Sequence, residues 1–220
     1  MRVPDAVLAV LLALAGAGCS RETPGEARPI QPPGVAGAPD TVPGASRAMP
    51  GAMVPDLPLV DQDGAPMTLR STAGRVRVVT FIYTRCPLQD YCPLMVSHLE
   101  GIRRRANEDG LGSRLAFLGV TLDPAFDTPP VLRAYGESVL KAPGRFDQWT
   151  LATGTAKQVE EVARFFGVGY RADGGVITHT LTTAVVGHDG RVIRVFASNS
   201  WRPDDLYYAV RGGIEHATTE

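Results

Sequence analysis

The sequence predicts an α/β fold: a central mixed sheet with helices on both faces and a β-hairpin near the C-terminus. Three observations carry this expectation. Residues 76–84 form a nearly continuous apolar and β-branched run, the pattern of a strand covered on both faces. Strand-like runs then alternate with segments of helical spacing, which suits helices packed on a sheet. Residues 180–186 and 191–197 flank the turn His188-Asp189-Gly190, a strong hairpin signal.

The elements follow in order. After the first strand, Leu94, Met95, His98, Leu99 and Ile102 recur at three- and four-residue steps until Asn107 and Gly110. This predicts a helix with Pro93 in its first turn, where a missing N–H costs nothing. Residues 115–122 read as a second buried strand, followed by the turn Asp123-Pro124 and a helix opening near Thr128-Pro129-Pro130. A short strand is expected over 148–151 and an amphipathic helix over 155–166, stopped by Gly167. Residues 204–216 read as a closing helix.

The N-terminal quarter has a different character. Arg2, the apolar run from Ala6 to Leu14 and the small residues Ala15, Gly16, Ala17 and Gly18 precede Cys19. This is an export signal too short to cross a bilayer stably. A cysteine at that place suggests a lipobox, with residues 1–18 removed and Cys19 lipidated, although Gly16 and Asp5 depart from the usual pattern. The alternative is an ordinary signal peptide with an incidental cysteine. Either reading exports the protein and, with lipidation, anchors it to a bacterial membrane on the periplasmic side. Residues 19–55 are rich in Pro, Gly and Ala and lack an apolar period, the composition of a flexible tether. One domain is expected over 56–216, long enough to bury about two-thirds of its unfolded surface.

The 220-residue chain has a formal charge of −1, and its Arg and Lys residues are dispersed, so a nucleic-acid partner is not expected. Arg103-Arg104-Arg105 is a local exception that reads as a solvated helix face. With Cys19 as the lipid site, Cys86 and Cys92 remain, in a compartment where disulfides persist. They flank five residues, Pro87-Leu88-Gln89-Asp90-Tyr91, at a strand-to-helix junction. Cysteines so placed can form a disulfide, whether redox-active or simply stabilising, or share a metal. A redox pair after the first strand suits a thioredoxin-like arrangement. The helix start and Arg85 are expected to favour the thiolate form.

These residues carry a family resemblance. Phe81-Ile82-Tyr83-Thr84-Arg85-Cys86-Pro87, then Cys92-Pro93, resembles the copper-site segment of Sco/SenC proteins. Residues 122–129, running on to Leu132-Arg133-Ala134-Tyr135, resemble the family's second signature, and His179-Thr180 resembles the segment carrying its histidine ligand. The likeness spans roughly Asp56 to the end, with the motifs in the family's order. It implies a thioredoxin-like domain that binds a copper ion through Cys86, Cys92 and His179. It also implies assistance in assembling the dinuclear copper centre of cytochrome c oxidase, with subunit II as recipient. A thioredoxin-like reductant or a second copper chaperone would be further partners. The family usually places three residues between its cysteines and an Asp before the histidine, where this chain has five residues and Thr178.

The remaining candidates read as structural. Met95 has helical spacing and suits core packing. Asp90 suits a turn, and Asp123 and Asp127 suit turn and cap chemistry. His98, His188 and His216 carry no ligand signal. A thiol-disulfide oxidoreductase acting on oxidase cysteines would use the same two sulfurs without needing His179. An inert disulfide module is the blandest reading, and nothing supports a peroxidase.

Overall fold

The structure is a computed structural model that describes residues 48–72, 74–87, 92–140, 146–173, 176–198 and 201–217. Cys19 and the proposed signal lie outside them.

At the centre is β3 (Val76–Ile82), which follows β1 (Pro58–Asp61) and β2 (Pro66–Thr68) and is buried at every position. Side chains alternate across the pleat. Val79, Phe81 and, past the strand end, Tyr83 therefore enter one core, while Val76, Val78 and Ile82 enter the other. β4 (Leu115–Thr121) runs parallel to β3 in the register Val76↔Leu115 to Ile82↔Thr121, and β5 (Trp149–Thr153) runs parallel to β4. The antiparallel strands β8 (Thr182–Val186) and β9 (Val192–Ala197) complete one side, and β1 and β2 the other. The sheet order is β2-β1-β5-β4-β3-β8-β9.

Helices cover both faces, as expected. α1 (Cys92–Glu108), α2 (Pro129–Val139) and α4 (Pro203–His216) bury Leu99, Leu132 and Val210 against one face. α3 (Ala156–Phe165) buries Val159, Val162 and Ala163 against the other. Thr155 and Gln158 close the start of α3 with a capping box, and Gly167, at φ 70°, turns the chain out of the helix. Gly190, at φ 87°, sits in the turn before β9. The mixed sheet, its two helical layers and the C-terminal hairpin are those of a thioredoxin-like fold.

Three differences from the sequence reading have physical causes. The packed chain begins before residue 56. Ala48 and Val54 are buried, and the segment is held by hydrogen bonds from Gly51 N to Val192 O, Val192 N to Ala52 O and Val54 N to Gly190 O. Two apolar side chains in a Pro/Gly-rich stretch give no period, so composition alone could not reveal this contact. Arg103 is not on a solvated face: it is 9% exposed and forks onto both carboxylate oxygens of Glu100, at 2.9 and 3.0 Å. Its neighbour Arg105 pairs with Asp204 and lies 3.8 Å over the Tyr207 ring. Finally, β6 (Tyr170–Asp173) and β7 (Val176–His179) form a separate two-stranded sheet. His179 thus closes β7 and faces Tyr170 in register, with β8 beginning three residues later.

Candidate functional site

The site forms at the carboxyl ends of β3 and β4, where open α/β sheets place their ligands. Leu122 N donates to Ile82 O at 2.8 Å, carrying the parallel ladder one step past β3. The chain then turns, with Cys86 N donating to Tyr83 O at 3.2 Å, so β3 ends two residues before the apolar run does. Asp127, fully buried, fixes this turn by accepting from Thr84 N at 3.1 Å, from Thr84 Oγ1 and from Thr121 Oγ1. The structural role expected of Asp127 is thereby given its content: it ties the start of the cysteine loop to β4.

Asp123 acts on the other flank. Its Oδ2 accepts from Arg85 Nη2 at 2.6 Å and Nε at 3.2 Å, and the guanidinium lies 4.1 Å from the Phe126 ring centre. The Arg85 charge is therefore directed to Asp123, and not to the cysteines as the sequence suggested.

Cys86 is half-buried and Cys92, the first residue of α1, is buried; no disulfide joins them. Their side chains are hydrogen-bonded to each other. That bond, then burial, then the charge of Cys86 push the Cys92 thiol far above the ordinary thiol range. Backbone hydrogen bonds at Tyr83 and at Cys92 itself act the other way and are outweighed. The expectation that the helix start makes a thiolate of Cys92 is thus reversed: the shift favours Cys92 keeping its proton.

Tyr83 joins this pair to the histidine. Its buried side chain is hydrogen-bonded to Cys86 and to the Ile177 backbone, and burial, first, with the adjacent Cys86 raises its phenol well above the usual value. The His179 ring stands edge-on to it, with centroids 6.0 Å apart at 80°. His179 Nδ1 lies 3.1 Å from Thr180 O. A carbonyl can only accept, so Nδ1 carries the hydrogen and Nε2 keeps its lone pair. Burial lowers the His179 pKa, which also favours that neutral form. The Thr180 carbonyl thus orients the ring, a task the missing acidic residue before His179 would otherwise perform. The hairpin carrying His179 is tied at its base by Thr180 N to Gly169 O and by Gly169 N to Thr180 Oγ1.

The structure therefore brings Cys86, Cys92 and Tyr83 together and sets His179 against Tyr83. Among the described residues, no group of three or more His, Cys, Asp or Glu side chains is gathered closely enough to hold a metal ion. Cys86 and Cys92 with a neutral imidazole remain a donor set suited to a soft cation. The other candidates lie apart or serve the core. Met95 is buried, and its sulfur is 3.8 Å from Thr183 Oγ1. His98 stands edge-on to Trp201, while His188 and His216 line a cavity of about 350 Å³ between the β8–β9 turn and α4. Asp90 lies outside the described residues. Sequence reasoning missed Tyr83 as a site residue. It stood in the first resemblance motif, but a tyrosine in an apolar pattern reads as core.

Comparison with known proteins agrees with this architecture. The SCO1 protein homolog of Bacillus subtilis is 28% identical over 156 residues, 69% of this chain and 77% of that protein. A SCO1/SenC family lipoprotein from Bacillus anthracis shares the fold with a TM-score of 0.66 at 20% identity, over 76% of this chain and 98% of that one. Arabidopsis thaliana ScoI with copper bound gives 0.63 at 20% identity, covering 75% and 99% of the two chains. BsSco, described as a member of the Sco family of cytochrome c oxidase assembly proteins with a disulfide switch, gives 0.64 at 24% identity over 76% and 97%. The sequence profile of SCO1/SenC matches residues 46–215, from two residues before the packed segment at Ala48 almost to the end of α4, and the chain belongs to the SCO1/SenC family.

Proposed function

We propose that this protein is an exported copper metallochaperone that binds copper as cargo through Cys86, Cys92 and His179 and assists assembly of the dinuclear copper centre of cytochrome c oxidase, with subunit II as recipient. The observation that carries this reading is the contact of two cysteine side chains at the end of β3, joined through Tyr83 to a neutral histidine held by Thr180 O. Two soft sulfurs and one imidazole suit copper, and also accept zinc, so family membership selects the metal. Copper in the Arabidopsis relative and the oxidase-assembly role stated for BsSco support the same choice. Closure of the site requires His179 and the sulfurs to draw together around the ion, with the metal displacing the Cys92 proton.

Cys19 as a lipid anchor and residues 19–47 as a tether would hold the domain near a membrane on the periplasmic side, in line with the lipoprotein among the relatives. No described helix is long and apolar enough to cross a membrane.

The second reading is a thiol-disulfide oxidoreductase that keeps oxidase cysteines reduced. It is favoured by the two sulfurs being adjacent while the three-ligand set is not gathered. Metal analysis of the reduced domain from Ser46 onward separates the two. About one copper per chain, lost in Cys86→Ser/Cys92→Ser and weakened in His179→Ala, is expected. Absence of copper binding with retained thiol exchange would establish the second reading instead.

A further inference from the structure

The segments that leave β3 and β4, residues 81–87 and 121–128, carry three charged side chains: Arg85, Asp123 and Asp127. Both acids are turned in. Asp127 is fully buried and bonded to Thr84 and Thr121, and the Asp123 side chain is 10% exposed. The Arg85 side chain is 42% exposed, so the Arg85–Asp123 pair is oriented, with its negative end inward and its positive end toward solvent. The guanidinium is also held in place. Its Nη2 and Nε both donate to Asp123 Oδ2, and it lies 4.1 Å from the centre of the Phe126 ring. Phe126 is itself exposed, a large apolar side chain left outside the core. An arginine braced in this way has little side-chain freedom left to lose on binding, and an exposed arginine against an exposed aromatic ring has the composition of an interface anchor. Arg85 is the covalent neighbour of Cys86, the half-buried sulfur of the pair, which any partner that takes a metal or exchanges a disulfide has to reach.

We propose that Arg85 and Phe126 form a docking rim beside Cys86 that admits a protein surface pairing a carboxylate with an apolar side chain and disfavours a basic one. The carboxylate meets the outward end of the guanidinium, whose other edge stays on Asp123, and the apolar group covers the Phe126 ring. This rests on Cys86 as the group a partner must reach, which the copper reading and the thiol-exchange reading share.

The test uses the domain from Ser46 onward, which keeps the packed segment at Ala48, with Cys92→Ser so that Cys86 is its single thiol. It is reacted with three disulfides: dithiobis-nitrobenzoate, an aromatic dianion; dithiodipyridine, aromatic and neutral; and cystamine, a dication. Rates taken as ratios to the neutral reagent remove any change in the reactivity of the thiol itself. The parent is expected to favour the dianion over the dication. Arg85→Gln should lower the dianion-to-neutral ratio about three- to tenfold at low salt, a difference that shrinks at high salt. Arg85→Lys keeps the charge and should keep most of the ratio, while Phe126→Ala should slow both aromatic reagents relative to cystamine. A ratio unchanged in Arg85→Gln, or a parent that favours the dication, would overturn the proposal, and an unchanged aromatic preference in Phe126→Ala would overturn the part given to that ring. Arg85→Gln failing to fold, with Arg85→Lys losing the ratio despite its charge, would show that the arginine serves the turn and would overturn it too. Metal analysis of the domain with both cysteines is run beside it: absence of copper would refute the copper reading and leave docking at Cys86 standing.

Discussion

Asp127→Ala should destabilise the domain by about 3–5 kcal/mol. The carboxylate is fully buried and accepts from Thr84 N, Thr84 Oγ1 and Thr121 Oγ1. Truncation strands those donors, and each buried donor left unmade costs about 1–3 kcal/mol. Thr84 is partly exposed and can recruit water, so about two of the three penalties persist. Asp127→Asn keeps one acceptor oxygen but presents an amide to a hydroxyl or N–H, and should lose about half as much. Asp123→Ala is the contrast: Asp123 is 10% exposed, but the partner it leaves behind, Arg85, is 42% exposed and returns to water, so the loss should stay near the 0–1 kcal/mol of exposed pairs, about 1 kcal/mol. Urea unfolding of the three variants measures these differences. A loss below about 1 kcal/mol for Asp127→Ala, or an equal loss for Asp123→Ala, would refute the view that Asp127 anchors the cysteine loop.

Four further outcomes are expected. Because burial holds His179 neutral, its folded pKa lies below the unfolded value of about 6.5; stability should fall as pH drops through that region, and His179→Ala should flatten the fall in pH-dependent denaturation. The Cys92 pKa is raised, so stability should instead be lost as pH rises above the unfolded thiol value of about 8.5, a loss absent in Cys92→Ser. Substoichiometric alkylation should mark the half-buried Cys86 before Cys92, as peptide mass mapping would read. Deleting residues 48–54 should cost about 2 kcal/mol or more in thermal or urea unfolding, since Val54 is buried and the segment pairs with the start of β9, whereas deleting residues 22–40 should cost nearly nothing.

The parts of the fold legible in the sequence were those where one residue pattern has one solution. β3 and β4 are buried at every position, so their apolar runs admit few alternatives. The Asp189-Gly190 turn, with Gly190 at positive φ, announced the C-terminal hairpin. The β1–β2 hairpin was not read, although its turn has a local signature: Asp61 Oδ1 accepts from Asp63 N and Ala65 N, and Gly64 sits at φ 80°. Strands of four and three residues are too short to display a period. The β6–β7 pair escaped for the same reason, so the strand that His179 closes was not expected. The cysteines were found because their residue type and spacing carry chemistry by themselves. Tyr83 was not, because its part in the site depends on long-range contacts with residues 177 and 179.

The protonation of Cys92 shows how two correct local rules can be outweighed. A helix start favours a nearby anion by about 0.3–1 kcal/mol at an exposed site, and a flanking arginine would add to that. Asp123 and Phe126 hold Arg85, which removes the second contribution. Against the first stand two larger effects at Cys92: first a hydrogen bond that it can donate to Cys86 only while it keeps its proton, then removal from water. Desolvation of a buried ionisable group alone can move a pKa by several units, each worth about 1.4 kcal/mol. The sum therefore favours a protonated, inward Cys92 beside an outer Cys86. Loading a metal ion onto Cys92, or closing a disulfide with an oxidant, must therefore first remove that proton.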